Sequence, residues 1–184
     1  MQIITLTPEN KDLIQQTARI LVDAFREHWP DAWSTFEDAL QEVDQMLAAG
    51  RICRVAVSED GDLLGAVGGI PQYGGNVWEL HPLVIRPNMQ RQGIGRALVA
   101  DFEEQVRLRG GLTIMLGTDD EDWMTSLSGA DLYEDLWNKI NNVKNLKNHP
   151  YGFYQKLGYI ITGVVPDANG RGRPDIIMSK RVTG

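Results

Sequence analysis

The residues best suited to chemistry lie in the stretch 78–96, Trp-Glu-Leu-His-Pro-Leu-Val-Ile-Arg-Pro-Asn-Met-Gln-Arg-Gln-Gly-Ile-Gly-Arg. Glu79 and His81 stand two apart on an apolar run, so on a strand they share one face. Pro82 follows, with no N–H to give to a sheet ladder. It argues against a regular central strand and implies a bulge or a splayed edge, with a plain edge strand as the alternative. The run then enters a Gly-rich turn through Gly93 and Gly95. Beyond it Leu98, Phe102 and Val106 recur at helical spacing, with Ile94 in line and Asp101, Glu103, Glu104 and Arg107 on the other face. A loop that opens a helix leaves backbone N–H groups unpaired. With the helix dipole behind them, they form a site for an anion such as a pyrophosphate. An ordinary strand-to-helix turn would have the same residues.

Other elements must hold this stretch in place. The pattern predicts a strand over 3–6 and a helix over 10–28, with Ile14, Thr17, Ala18, Leu21 and Phe25 inward. Ser34 and Glu37 form a capping-box pattern for a second helix that carries Phe36, Leu40, Val43 and Leu47 and stops near Gly50. Strands over 51–58 and 63–70 flank a hairpin turn at Asp60-Gly61. The strand at Trp78 and the Gly-turn helix follow, the helix ending at Gly110-Gly111, and then a buried strand over 112–117. The segment 118–149 is longer than an ordinary connection. Its pattern predicts a helix over 130–143 on Leu132, Leu136 and Ile140. A short helix over 150–157 and strands over 159–165 and 175–182 complete a single α/β (α+β) domain, residues 1–184.

Composition excludes several classes. The 184 residues suit one domain, and a 42% hydrophobic fraction is enough for a core. The longest apolar run, 63–70, is too short to span a membrane, and no Arg-rich or apolar leader is visible. A formal net charge of −7 argues against nucleic acid, whose phosphates call for a basic footprint. The lone Cys53 suits a cytoplasmic setting. It reads as a buried thiol, a catalytic cysteine being the poorer alternative because no activating base accompanies it. Three histidines without ligand spacing give no metal site. The acidic charge gathers at Asp119, Asp120, Glu121 and Asp122, then at Asp131, Glu134 and Asp135, beside Trp123, Tyr133 and Trp137. Carboxylates next to aromatics suit a cationic amine; a solvated acidic loop is the alternative.

Two phosphate-loop patterns fail on the Gly turn. The dinucleotide fingerprint needs a third Gly where Leu98 stands, and the P-loop Gly-Lys-Ser/Thr is absent. What remains, Gln90-x-x-Gly93-x-Gly95, resembles the acyl-CoA pyrophosphate loop of the GNAT acetyltransferase superfamily. Phe153-Tyr-Gln-Lys-Leu-Gly-Tyr159 resembles a second box of that family, and the element order is the same. A closer resemblance, to the aminoglycoside 6′-N-acetyltransferases, is carried by Ile70-Pro-Gln-Tyr-Gly74, Trp78-Glu-Leu-His-Pro-Leu83, Leu116-Gly-Thr-Asp-Asp120, Asp131-Leu-Tyr-Glu134 and Asn148-His-Pro-Tyr-Gly-Phe-Tyr154. It implies a GNAT fold: a mixed, mostly antiparallel central sheet splayed at the fourth strand and flanked by helices. It also implies acetyl transfer from acetyl-CoA to an aminoglycoside 6′-amine in a ternary complex, antibiotic resistance, and a homodimer.

The resemblance assigns roles by position. Glu79 is the base or an acceptor anchor, and His81 a base or an orienting group. The Leu83 N–H faces the thioester carbonyl, Val84 and Ile85 bond pantetheine, and Tyr154 protonates the thiolate. Gln90, Arg91, Gln92, Gly93, Ile94, Gly95 and Arg96 hold the pyrophosphate. The family's pantetheine-binding Asn falls on Lys147, with Asn148 beside it. Acceptor contacts are expected from Tyr73, Trp78, Glu79, Asp119, Asp120, Asp122 and Glu134. A polyamine, protein lysine or peptide is the alternative acceptor, and a CoA-binding sensor without turnover is a second alternative.

Overall fold

The computed structural model describes residues 1–183, which form two compact units: Met1–Ile114 with the chain from Val182 onward, and Met115–Arg181. Seven strands are present among the described residues, mostly antiparallel and flanked by helices, in a mixed α/β arrangement.

In the first unit β1 (Gln2–Thr5), β2 (Ile52–Val57), β3 (Leu63–Gln72) and β4 (Val77–Ile85) pair successively and antiparallel. Helices α1 (Lys11–Phe25) and α2 (Phe36–Met46) give a core with them, in which Leu21, Ala39, Val43, Val55, Leu63 and Ala66 are fully buried. The capping box of α2 sits one residue later than Ser34 and Glu37 predict. Thr35 is extended and accepts from the Asp38 N–H, and Asp38 accepts from the Thr35 N–H. The shorter Asp side chain closes the box as well as a Glu would, and Ser34 adds a hydroxyl donor to the same carboxylate.

Pro82 sits at a bulge. Pairing steps from Val67↔Leu83 to Gly69↔Leu80, so His81 and Pro82 lie across from Gly68 alone. The His81–Pro82 peptide is cis. A Cβ on Gly68 would come within 2.3 Å of the His81 carbonyl oxygen, so only glycine allows this crossing. Helix α3 (Ile94–Leu108) buries Ile94, Leu98, Phe102 and Val106. Arg54 on β2 grips it with two parallel bonds to Asp101, 2.7 and 3.0 Å.

Strand β5 (Thr113–Asp119) leads from the first unit into the second, where the strand order is β5, β7 (Asp175–Arg181), β6 (Ile160–Val165). The helix expected over 130–143 is much shorter: α4 covers only Leu136–Asn141. Asp135 stands before it in the left-handed region at φ 49°. Upstream, Asp131 accepts from the Tyr133 N–H at 3.0 Å, and Lys139 donates to the carbonyls of Asp131 and Glu134. These local bonds replace the helical ladder. Leu132 and Ile140 are still buried, which is why the apolar spacing resembled one helix. Helix α5 (Tyr151–Lys156) follows. Among the described residues no helix is long and apolar enough to cross a membrane, and no cluster of metal-ligating side chains occurs.

Candidate functional site

In the first unit the candidate groups lie on β4 and the turn into α3. Glu79 is half-buried and accepts a hydrogen bond from Gln72 Nε2 at 3.1 Å. His81 is exposed. Its Nε2 lies 3.8 Å from Glu42 Oε1 on α2, and its ring is 6.0 Å from that of Trp33. Leu83 and Ile85 are half-buried, while Val84 is core. Tyr73 stands in a short turn and is 77% exposed. Trp78 is different: it is buried, its indole N–H donates to the Gly75 carbonyl at 3.1 Å, and its ring lies against Gly111. Its indole supports β4 from inside and has no donor left for an acceptor.

The turn fits an anion. Gln90, Arg91, Gln92, Gly93 and Arg96 are exposed, Ile94 is buried and Gly95 half-buried. Arg91 and Gly93 both have positive φ, 62° and 87°, and Gly93 is the N-cap of α3. No side chain caps this helix, and its first turn carries no carboxylate. A Cβ on Gly93 would meet nothing within 4 Å, so the N–H groups there face open space. Backbone turned between right- and left-handed conformations makes a concavity of N–H groups suited to phosphate.

In the second unit the polar groups are mostly engaged with one another. Asp120 is 0% exposed and accepts from the N–H groups of Met124 at 2.6 Å and Thr125 at 2.8 Å. Its carboxylate thus folds the start of the insert from inside and is not free to make the acceptor contact expected of it. Asp119 accepts from Asn169 Nδ2, and its carbonyl is 3.0 Å from His149 Nε2. The Tyr151 N–H donates to His149 Nδ1, which fixes the proton on Nε2. Burial holds the His149 imidazole below the usual histidine range, although its bond to Asp119 and the charges of Asp120 and Asp119 pull the other way. Asn145 brackets the same residue, accepting from its N–H and donating to its carbonyl. Asp122, Glu134 and Asn148 are exposed, as are Trp123, Tyr133 and Trp137.

Tyr154 is buried on α5, with Phe153 and Tyr159 rings edge-on at 5.1 and 5.7 Å. Burial pushes its phenol well above the usual tyrosine range, so it holds its proton at neutral pH. Cys53 is buried on β2 and its thiol is pushed up to about 12 by burial, which makes it inert.

Sequence reasoning missed Glu42, His149, Asn145 and Asn169. The four-residue spacing of Asn145 and His149 was a usable signal. So was a carboxylate within the apolar stripe of α2.

The fold and this site define the class. The acetyltransferase (GNAT) family profile matches residues 14–124, well over half of the chain, and the chain belongs to that family. It is an acetyltransferase. Among solved structures it is similar to an aminoglycoside 6′-N-acetyltransferase complexed with coenzyme A, with 43% identity, a TM-score of 0.91, and coverage of 100% of this chain and 98% of that one. It is similar also to the aminoglycoside 6′-N-acetyltransferase from Enterococcus faecium, at 42% identity, TM-score 0.90 and coverage of 100% and 98%. A third, aminoglycoside 6′-acetyltransferase type Ii, shares 38% identity at TM-score 0.76, covering 100% and 99%. No match was found among curated proteins.

Proposed function

We propose that this protein transfers acetyl from acetyl-CoA to the 6′-amine of an aminoglycoside by direct attack in a ternary complex. The observation that carries this is 43% identity over essentially the whole of both chains with an aminoglycoside 6′-N-acetyltransferase. Acetyl-CoA supplies the activated thioester. The uncapped, carboxylate-free start of α3 fits its pyrophosphate, with Gln90, Arg91, Gln92, Gly93, Ile94, Gly95 and Arg96 around it. Leu83, Val84 and Ile85 offer backbone groups to pantetheine, as does Asn148 its amide.

An amine of pKa about 8–10 is mostly protonated at neutral pH and must lose a proton before it attacks. Glu79, with one hydrogen bond and partial exposure, takes that proton or anchors the ammonium. His81 orients the acceptor. The Leu83 N–H holds the carbonyl oxygen as it gains negative charge. Tyr154, protonated at neutral pH, gives its proton to the departing thiolate. Tyr73, Asp119, Asp122 and Glu134 meet the sugar. We further propose a cytoplasmic homodimer with β7 at its interface, and aminoglycoside resistance as the outcome.

The test is acetyl-CoA turnover with one 6′-amino and one 6′-hydroxy aminoglycoside. Thiol release with the first alone is expected. Release with both, or faster turnover of spermidine or basic peptides, would replace this reading.

A further inference from the structure

Glu42 occupies a position where helical spacing calls for an apolar residue. Ala39, Val43 and Met46 are buried, and Glu42 completes an i, i+3, i+4, i+7 set with them. Its side chain is only 13% exposed. Among the described residues its one polar partner is His81, whose Nε2 lies 3.8 Å from Oε1. That is an ion contact rather than a hydrogen bond, so the carboxylate, which has about four lone-pair sites, keeps acceptor capacity for a further donor. Trp33 stands close by, with its ring 6.0 Å from the His81 ring. His81 shares a face of β4 with Glu79, two residues away, which is about 7 Å along extended chain. A polyamine sugar carries ammonium groups at spacings of this order. A carboxylate beside an indole recognises an ammonium through a charged hydrogen bond and cation–π contact.

We propose that Glu42, with Trp33 and His81, binds a second ammonium group of the acceptor while the reacting amine lies at Glu79. This rests on the aminoglycoside reading above, and it locates part of the acceptor recognition in the first unit, apart from the acidic insert.

The experiment compares wild type with Glu42→Gln, using calorimetry and steady-state kinetics. The acceptors are kanamycin, with several amines, and 6-amino-6-deoxyglucose, which keeps only the reacting one. Loss of one charged hydrogen bond should weaken kanamycin binding about tenfold to a hundredfold. Binding of the monoamine sugar and KM for acetyl-CoA should stay within about twofold. The Tm of Glu42→Gln should stay close to wild type, because the amide keeps the shape of the side chain. Glu42→Ala should reproduce the split between the two sugars. Equal loss for both sugars, or a lowered Tm in Glu42→Gln, would overturn the proposal, since the carboxylate would then serve the fold. If wild type neither binds nor acetylates kanamycin, the substrate reading fails, and spermidine against ethanolamine puts the same question to Glu42. Selective weakening of spermidine supports the site, and no difference overturns it.

Discussion

The two units treat their polar residues in opposite ways. On the first, Glu79 has a single hydrogen bond, His81 is exposed, and the turn before α3 leaves its N–H groups uncapped. On the second, Asp119, Asp120, Asn145, His149 and Asn169 are bound to one another or to nearby backbone. The first unit presents groups that need a partner; the second has already used most of its own. A carboxylate in a loop can thus be spent on nearby backbone, as that of Asp120 is.

The contrast predicts which substitutions damage chemistry and which damage the fold. Glu79→Gln should lower kcat/KM by about a hundredfold or more with little change in Tm, measured by thiol release and calorimetry. A raised acceptor KM at unchanged kcat would make Glu79 an anchor only. Asp120→Ala should do the reverse: two buried N–H groups lose their acceptor, at a cost of about 3 kcal/mol in urea unfolding. Wild-type stability in that variant would erase the distinction between the units. Tyr154→Phe should lower kcat about tenfold to a hundredfold while acetyl-CoA binding and Tm stay close to wild type. Unchanged turnover would sink the proton-donor role.

His149 gives a smaller effect with a definite sign. Burial depresses its folded pKa below the unfolded value of about 6.5. Its contribution is complete above that pH and is lost as pH falls through the folded value. Urea unfolding should therefore show stability falling below about pH 6.5, by up to about 1.4 kcal/mol per pH unit, and His149→Gln should remove that slope. Smallest of all, Arg91→Ala should raise KM for acetyl-CoA about threefold, because an exposed ion pair with a phosphate contributes only about 0.2–1 kcal/mol.

Much of the first unit was legible in the sequence. Pro82 announced a break in regular pairing because a missing N–H is a local chemical fact, and the bulge is there. Gly93 announced the turn for the same kind of reason, and its φ is positive. The second unit was harder to read. Apolar spacing at Leu132, Leu136 and Ile140 gave one long helix, but Asp131 and Lys139 bond to nearby backbone and shorten it. Asp120 looked like the other carboxylates of its run, because such a run does not reveal which one turns fully inward. Trp78 was expected among the acceptor contacts, and only its bond to Gly75 and its contact with Gly111 show that it faces the interior. For Asp120 and Trp78 the deciding partner lay outside the motif; in the insert it was a polar side chain that the apolar spacing ignores.

Strand β3 bears no group that reacts, yet it is the least replaceable strand next to the site. A methyl on Gly65 would come within 2.7 Å of the Val84 carbonyl, one on Gly68 would strike the His81 carbonyl, and one on Gly69 would lie 2.2 Å from the Phe102 ring. In a saturation library selected for turnover, these three glycines should be as invariant as Glu79. Asp122 and Glu134, exposed on the insert, should instead change with the acceptor used for the selection. The capacity of this enzyme to acquire new acceptors would then reside in its loops, and its intolerance in three glycines that carry no side chain.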